Sequence, residues 1–331
     1  MVKTEIIRLI QEISQRVNDF PRQHRLIQNS AHWSRLVSAM DTIEDAEESI
    51  DYYLNNLRFD RNLWGSYILA LYGFLQSLEI EQDATAALFA ALESESQVRF
   101  NAHEHEALRE IRDIRHDVVG HPTNRKRMLS GTEREFHFYY QLLRKNMSKD
   151  EIKYGELDEN GKRKWRTVQI VLLCRHQASI IVNEMKKLVK GLDETEMKYK
   201  AKFKKIRLAA FLEDEMYPWI PQLMMATCDP AQDNERRQGI QVITRMKEKI
   251  NSLEKPLSQR ELSIEGFNEY RNEIFHACDK LLEMFSSENC EHVNPLDSQI
   301  YGFFIKSKYK EFQDWAAELD RYYSSPSIPT P

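Results

Sequence analysis

The sequence contains few of the residues that interrupt helices. It has 10 glycines and 10 prolines in 331 residues, which is below the average usage of about 7% and 5% for these two residue types. Charged residues make up 30% of the chain. This composition favours a helix-rich soluble protein, and the length is sufficient for two domains.

Cysteines and long apolar segments are also scarce. The four cysteines include no C-x-x-C pair, so zinc spacing is missing and we expect reduced, mostly buried thiols in a cytosolic protein. The N-terminal residues carry charge throughout and lack the apolar core of a signal peptide. The most apolar run, Leu63 to Leu78, is shorter than the roughly 20 residues that a membrane span needs. We therefore expect a cytoplasmic protein without membrane contact. The cysteines are Cys174, Cys228, Cys278 and Cys290.

The net charge argues against a protein that coats nucleic acid with its whole surface, but it allows a local nucleic-acid site. A formal net charge of −5 argues against a wholly basic nucleic-acid coat but permits a local basic site. Residues 109–127 form such a region, because basic residues outnumber acidic ones there. For any such cluster taken alone, a solvated charged face is the favoured interpretation. The candidate RNA-binding residues in it are Arg112, Arg125, Lys126 and Arg127.

Residues 101–127 predict one helix and its exit. Asn101 is a candidate N-cap, with Glu104 three residues later as its reciprocal capping partner. Gly120 suits the left-handed position that follows many helices, and a proline comes two residues later, so the helix should end near Val119. Apolar residues recur between these ends at three- and four-residue steps and predict one buried face: Leu108, Ile111, Ile114 and Val118.

A short motif at the end of this helix resembles a known signature. Arg115 falls in its last turn or so, with the polar His116 directly after it and His121 just past the helix end. This pattern resembles the motif of the HEPN superfamily, and the wider run RHDVVGHPT is similar to one bacterial branch of it. Residues 73–92 also resemble that family. Its members are helical bundles; many are metal-independent ribonucleases, often toxins or phage-defence effectors, and others have lost activity.

The resemblance implies a metal-independent endoribonuclease with no cofactor. Histidine can transfer protons near neutral pH and arginine can offset phosphate charge, so Arg115 and His121 are the candidate catalytic residues. We expect His116 to orient Arg115 or to contact phosphate, and Asp117 to support the site or pair with an arginine. The family's usual site is shared by two copies. The expected partners are therefore RNA, a second copy of the chain, and an antitoxin or defence-system protein.

A second match to the motif consists of Arg271, Asn272 and His276. The predicted helix around it continues past His276 without a glycine or proline. This continuity favours a structural histidine over a second active site. The alternative is a tandem protein in which both motifs belong to one chain.

The predicted fold is mainly α: a HEPN-like helical bundle with a small antiparallel β insertion and additional C-terminal helices. The predicted segments are N-terminal helices over 1–57, the bundle over 58–195 with its insertion at about 133–169, a C-terminal helical region over 196–323, and a disordered tail over 324–331.

Several local signals refine this organisation. Phe20-Pro21 should end a first helix over 3–17, and Asp60 should cap a helix that continues to about Glu79. A further helix over about 82–92 should complete an apolar hairpin. In the insertion, Asn-Gly at 160–161 predicts a β-hairpin. The aromatic residues of the insertion should pack against the helices, with stacking on RNA bases as the alternative: Phe136, Phe138, Tyr140, Tyr154 and Trp165.

Two other functions fit the same residues. In the first, the chain is a non-catalytic HEPN-like protein that binds RNA or a nucleotide, or acts as a scaffold. In the second, it is an all-helical regulatory protein in which Arg115 makes a structural salt bridge, for example to Asp113 or Asp117. The hairpin, the motif position and the local basic charge favour the ribonuclease.

Overall fold

The structure is a computed structural model. It describes residues 2–58, 61–120, 125–128, 135–143, 148–213, 219–228, 233–262, 264–286 and 294–325. The chain divides into two compact units, the first made of Met1–Arg22 with Asn29–Thr195 and the second of Gln23–Gln28 with Glu196–Pro331. The described residues are mainly helical, with a small antiparallel sheet in the first unit. None of the helices in these ranges is long and apolar enough to cross a membrane.

Three helices begin the chain: α1 (Val2–Val17), α2 (Phe20–Ile27) and α3 (Ser30–Asp51). The prediction of α1 is confirmed, because Ile6, Ile10, Ile13 and Val17 are buried along one face. Phe20-Pro21 does not end α1 as predicted but begins α2. Proline suits the first turn of a helix, where its missing N–H has no partner to lose.

The long helix α4 (Trp64–Ser96) contacts both α3 and the motif helix, which is the helix that ends at Arg115. It follows a 3-10 turn at Arg61–Leu63, while the predicted cap, Asp60, lies outside the described residues. The predicted hairpin is wrong, because the helix continues through its expected turn. No glycine or proline stands there, and Glu81 and Gln82 are buried with hydrogen-bond partners instead of facing solvent.

The motif helix is shorter than predicted. Asn101 accepts a hydrogen bond from the backbone N–H of His103 and thereby caps only a single 3-10 turn, Ala102–Glu104. Helix α5 (Glu106–Arg115) begins after this turn and buries its predicted apolar face. It continues as a π-helical turn, His116–Gly120, in which backbone hydrogen bonds span one more residue than in an α-helix.

The insertion is an antiparallel meander of four strands in the described residues, in the order β1 (Arg125–Met128), β2 (Glu135–Leu142), β3 (Glu151–Asp158) and β4 (Arg163–Gln169). The sheet is therefore larger than the predicted two or three strands and begins earlier in the chain. The predicted hairpin turn joins β3 to β4. Gly161 has a φ of +78° there, which glycine adopts without strain.

The aromatic residues of the sheet do not all face the helices. Phe138, Tyr140 and Tyr154 are buried in the core of the first unit, as predicted. For Trp165 the prediction is wrong, because its side chain is 42% exposed. It pairs with Gly155 in the β3–β4 register and belongs to the opposite face from Tyr154. The side chain of Phe136 lies outside the described part.

Helix α6 (Ile170–Phe203) returns the chain to the helices of the first unit. Asp193 accepts two hydrogen bonds from the guanidinium of Arg16 in α1, at 2.7 and 3.0 Å. Gly191 lies where α6 passes the end of α4. A Cβ atom on Gly191 would lie 2.4 Å from the carbonyl oxygen of Ser96, so this crossing requires glycine.

The second unit is helical in its described residues and has its own apolar core. Within this core Cys278 is buried as a free thiol, while Cys174 in the first unit is half-buried. Helix α12 extends into the predicted tail, of which residues 326–331 lie outside the described ranges. The described helices that lie wholly within the second unit are α7 (Ala209–Glu213), α8 (Trp219–Cys228), α9 (Asp233–Ser252), α10 (Glu254–Gln259), α11 (Ile264–Ser286) and α12 (Pro295–Ser324).

Candidate functional site

Arg115 is the last residue of α5, and its side chain is held by two residues of α4. Nε and Nη2 donate to Oε1 of Gln76 at 2.9 and 2.5 Å, and Nε lies 2.8 Å from Oε2 of Glu79. The side chain is 21% exposed. Its salt-bridge partner is therefore Glu79, which lies in a different helix from the two aspartates suggested by the sequence.

The remaining nitrogen of Arg115 faces the π-helical turn. Nη1 lies 3.5 Å from Nδ1 of His116. A Cβ atom on Gly120 would lie 3.2 Å from both of these nitrogens. Gly120 is not in the predicted left-handed conformation, which among the described glycines belongs to Gly161. Its small size instead permits the turn to close against Arg115 and His116.

Arg112 is one helical turn before Arg115 and is held by the same helix. Its Nε donates to Oε1 of Gln82 at 2.7 Å, Nη1 lies 3.4 Å from Oε1 of Glu79, and Nη2 donates to Asp83. Glu79 thus bridges two arginines. The side chain of Arg112, a candidate RNA-binding residue, is therefore only 14% exposed, and its guanidinium already has partners within the chain.

A buried hydrogen-bond chain continues from Arg112 into the core of the first unit. Gln82 donates from Nε2 to Oε1 of Gln177 at 2.7 Å. Gln177 in turn donates to the carbonyl oxygen of Leu78 at 2.9 Å and to Oε2 of Glu81 at 2.6 Å. Buried amides of this kind specify a unique arrangement when every group has a partner. The motif is thereby connected to residues of α6 that the sequence did not suggest.

The chain ends at two buried carboxyl groups. Glu81 is 1% exposed and Glu47 of α3 is 4% exposed, and the two side chains are close enough to interact directly. Loss of solvation raises the pKa of Glu81 well above its ordinary value, and the charge of Glu47 raises it further. Two buried carboxyl groups in contact favour one shared proton, because two like charges repel each other at this separation. A cavity of about 370 Å³ beside it is also lined by Asp150, Cys174 and Arg175.

We expect Glu81→Gln to increase stability at high pH. The folded state of the natural protein holds this proton more tightly than the unfolded state, so its stability falls as pH rises above the unfolded pKa towards the raised folded pKa. A glutamine amide can accept from Gln177 and donate to Glu47 without this proton. The free energy of unfolding should increase by about 1–3 kcal/mol near pH 9 and change little near pH 4.

This prediction is tested by urea unfolding of the natural protein and the variant across that pH range. The matched control is Glu48→Gln, which removes the same charge from an exposed position of α3. An equal pH dependence in both variants, or a loss of stability in Glu81→Gln at high pH, would contradict the shared proton.

Asp117 faces away from Arg115, into the space between the π-helical turn and the sheet. It is fully buried, and Oδ2 lies 3.4 Å from the hydroxyl of Tyr154, which donates to it. Burial raises the pKa of Tyr154, and the charge of Asp117 raises it further. A cavity of about 510 Å³ is lined by these two residues together with Tyr72 and Tyr140. The turn thus places its histidine and its aspartate on different sides.

The other residues of the predicted site are only partly described. His121 lies outside the described residues. Arg125, Lys126 and Arg127 form most of β1, the edge strand beside β2, and the described part does not include their side chains.

The second motif does not bring its residues together. In α11, Nη1 of Arg271 lies 3.1 Å from Oε2 of Glu254 and 3.4 Å from Oδ1 of Asn251. Asn272 is exposed. His276 is also exposed and lines an apolar groove of about 470 Å³ with residues of α12. Arg271 and His276 therefore face different elements.

Metal ligands and related proteins give no further indication of chemistry. Within the described ranges, no group of three or more His, Cys, Asp or Glu side chains is arranged to hold a metal ion. Scans of the chain against protein-family models, curated proteins and solved structures found no match. The resemblance to the HEPN superfamily therefore stays a prediction.

The structure adds residues to the site that the motif did not identify. Gln76, Glu79 and Gln82 hold the two arginines, and Gln177 and Glu81 extend the network inwards. A signal for the first three was present in the sequence. They are polar residues at three-residue spacing on a helix that is otherwise apolar nearly all round, which indicates a buried polar stripe.

Proposed function

We propose that this chain is a metal-independent endoribonuclease of the HEPN type. The observation that carries the proposal is the fixed position of Arg115, whose Nε and Nη2 are occupied by Gln76 and Glu79 while Nη1 faces His116 and the π-helical turn. An arginine that is already oriented loses little entropy when it binds a phosphate.

In the proposed reaction the 2′-hydroxyl of one nucleotide attacks the adjacent phosphorus. His121 of one copy accepts the proton of the 2′-hydroxyl, and His121 of a second copy donates a proton to the departing 5′-oxygen. Arg115 offsets the negative charge on the phosphate, with His116 beside it. The products are a 2′,3′-cyclic phosphate and a 5′-hydroxyl. Because one copy supplies one His121, the proposal includes a homodimer with a shared cleft.

The biological setting of the proposal follows from the resemblance. HEPN ribonucleases are often toxins or phage-defence effectors, so we propose such a role in the cytoplasm, with an antitoxin or defence-system protein that restrains or triggers cleavage. Asp117 supports the site in this proposal by fixing the π-helical turn against the sheet through Tyr154.

The second candidate is a non-catalytic HEPN-like protein that binds RNA or a nucleotide or acts as a scaffold. One observation favours it: the motif arginine and Arg112 are both paired with carboxylates of α4, and Arg115 is only 21% exposed. Paired charges of this kind attract a phosphate less strongly than free ones. In this case the arginines stabilise α5 on α4.

The two candidates are separated by incubating purified full-length protein with a panel of RNAs in excess chelator. For the ribonuclease we expect products with 2′,3′-cyclic phosphate ends, no cleavage by His121→Ala, and a cleavage rate per protomer that falls on dilution below the dimer dissociation constant. His103→Ala, an exposed histidine before α5, is the matched control. RNA that is bound but left intact across the panel would reject cleavage and support the non-catalytic candidate.

A further inference from the structure

The sheet has a second face that does not contribute to the core of the first unit. Side chains alternate along a strand, so the residues between the buried ones of β2, β3 and β4 lie together on what we call the outer face. This outer face consists of His137, Tyr139, Gln141, Lys153, Gly155, Leu157, Arg163, Trp165 and Thr167.

Two large aromatic side chains are exposed on the outer face. Trp165 is 42% exposed and Tyr139 is 41% exposed. The indole of Trp165 lies over Gly155, where a Cβ atom would approach its six-membered ring to between 3.0 and 3.4 Å. The ring is thereby held flat against the backbone of β3. An aromatic ring fixed in this way can stack on a planar ligand without losing further side-chain freedom.

Tyr139 and Trp165 are far enough apart for each to stack on a different planar group. In the register, Tyr139 is in one row with Leu157 and Arg163, and Trp165 is one step further along β4. Strands lie about 4.8 Å apart and a two-residue step is about 6.8 Å, so the Cα atoms of Tyr139 and Trp165 are about 12 Å apart. Arg163 lies beside Trp165 on β4, with its guanidinium carbon 5.3 Å from the ring centroid of Trp165.

The charge near these rings is complementary to a polyanion. Lys153 and Arg163 are the cations of the described outer face, and Glu151 at its end already accepts a hydrogen bond from Gln169. The edge strand β1 contains Arg-Lys-Arg at 125–127, and the edge strand β4 begins with Arg163-Lys164. Cations on edge strands also prevent unwanted strand pairing. That role does not account for a tryptophan and a tyrosine left in solvent beside them.

We propose that the outer face of the sheet binds single-stranded RNA, with bases stacked on Tyr139 and Trp165 and phosphates bound by Arg163 and Lys153. Stacking suits single strands because their bases are free, and it tolerates many sequences because every base has a planar surface. The choice of RNA rests on the proposed function, while the stacking surface itself does not.

The test measures fluorescence anisotropy of a labelled mixed-sequence RNA of about 12 nucleotides with full-length protein. His121→Ala serves as the background so that the probe is not cleaved. We expect Trp165→Ala to weaken binding about tenfold and Trp165→Phe to retain most of the affinity. Arg163→Gln should lower the salt dependence of log K by about 0.7, the value for one phosphate of a single strand.

Phe303→Ala is the matched control, because this aromatic residue of α12 is 57% exposed but lies in the second unit. Equal affinity of Trp165→Ala and the control, or tighter binding of duplex than of single-stranded RNA, would overturn the proposal. If the chain cleaves RNA but Trp165→Ala and Arg163→Gln bind as the background does, this proposal fails and the ribonuclease stands. If binding depends on Trp165 and no RNA is cleaved, this proposal stands and the ribonuclease proposal fails.

Discussion

Arg115→Ala is expected to reduce the rate of RNA cleavage by about 10²–10³-fold, the usual cost of removing one group that stabilises charge in a transition state. The guanidinium has two roles in the proposed site: it offsets phosphate charge, and it compensates the carboxylate of Glu79. Single-turnover cleavage of a fixed RNA measures the first role, because product release does not enter that rate.

Two further variants show that this loss is specific. Arg115→Lys keeps the charge but cannot donate to Gln76 and a phosphate in the same geometry, so it should recover only a small part of the rate. Arg109→Ala removes an exposed arginine from the same helix, whose side chain donates to the carbonyl of His103, and should cleave like the natural protein. If Arg115→Ala cleaves at the normal rate and has the same thermal midpoint as the natural protein, the role assigned to Arg115 is contradicted.

Gly191→Ala is expected to destabilise the first unit by about 1–3 kcal/mol, the usual cost of overpacking a core. The new methyl group would lie 2.4 Å from the carbonyl oxygen of Ser96 and 2.8 Å from Cγ2 of Val98. The carbonyl cannot move aside easily, because it belongs to the last turn of α4, and the next residue, Gln97, holds a left-handed conformation with φ of 58°. The thermal midpoint should fall by several degrees.

Gly73→Ala provides the control within α4. A Cβ atom there meets nothing within 4 Å, and alanine in a helix interior is favoured over glycine by about 1 kcal/mol. We therefore expect the two glycine variants to shift the thermal midpoint in opposite directions, as measured by circular dichroism. Midpoints that fall together would show that the crossing of α4 and α6 is not closely packed.

The sequence predicts best where one local signal decides the structure. The buried face of α1 repeats at helical spacing, and Asn-Gly at 160–161 forces a turn, so both elements were predictable. The predictions fail where tertiary contacts decide. The sequence predicted one helix to about Glu79 and another over about 82–92, but partners in α3, α5 and α6 hold most of the polar residues at 81–83 inside one continuous helix.

The candidate site shows the same contrast between local sequence signals and tertiary contacts. The motif identified Arg115 and the two residues after it, because their types and spacing are local properties of the sequence. It could not identify Gln76 or Glu79, which are more than 30 residues away and meet Arg115 only when α5 packs on α4. It also placed His116 and Asp117 together. The π-helical turn separates them, and no simple pattern in the sequence indicates where such a turn will occur.

The continuity of α4 has a mechanical consequence. At 1.5 Å per residue its 33 residues form a rod about 50 Å long. Gln76 and Glu79 near its middle, Glu81 just beyond them and Ser96 at its end are fixed at constant separations on that rod. A helical hairpin would have placed a flexible turn between some of these residues. In a continuous helix, a small rotation of α4 where it crosses α6 must also move Gln76 and Glu79, which hold Arg115. Mutations far from the motif can therefore change the orientation of the Arg115 guanidinium.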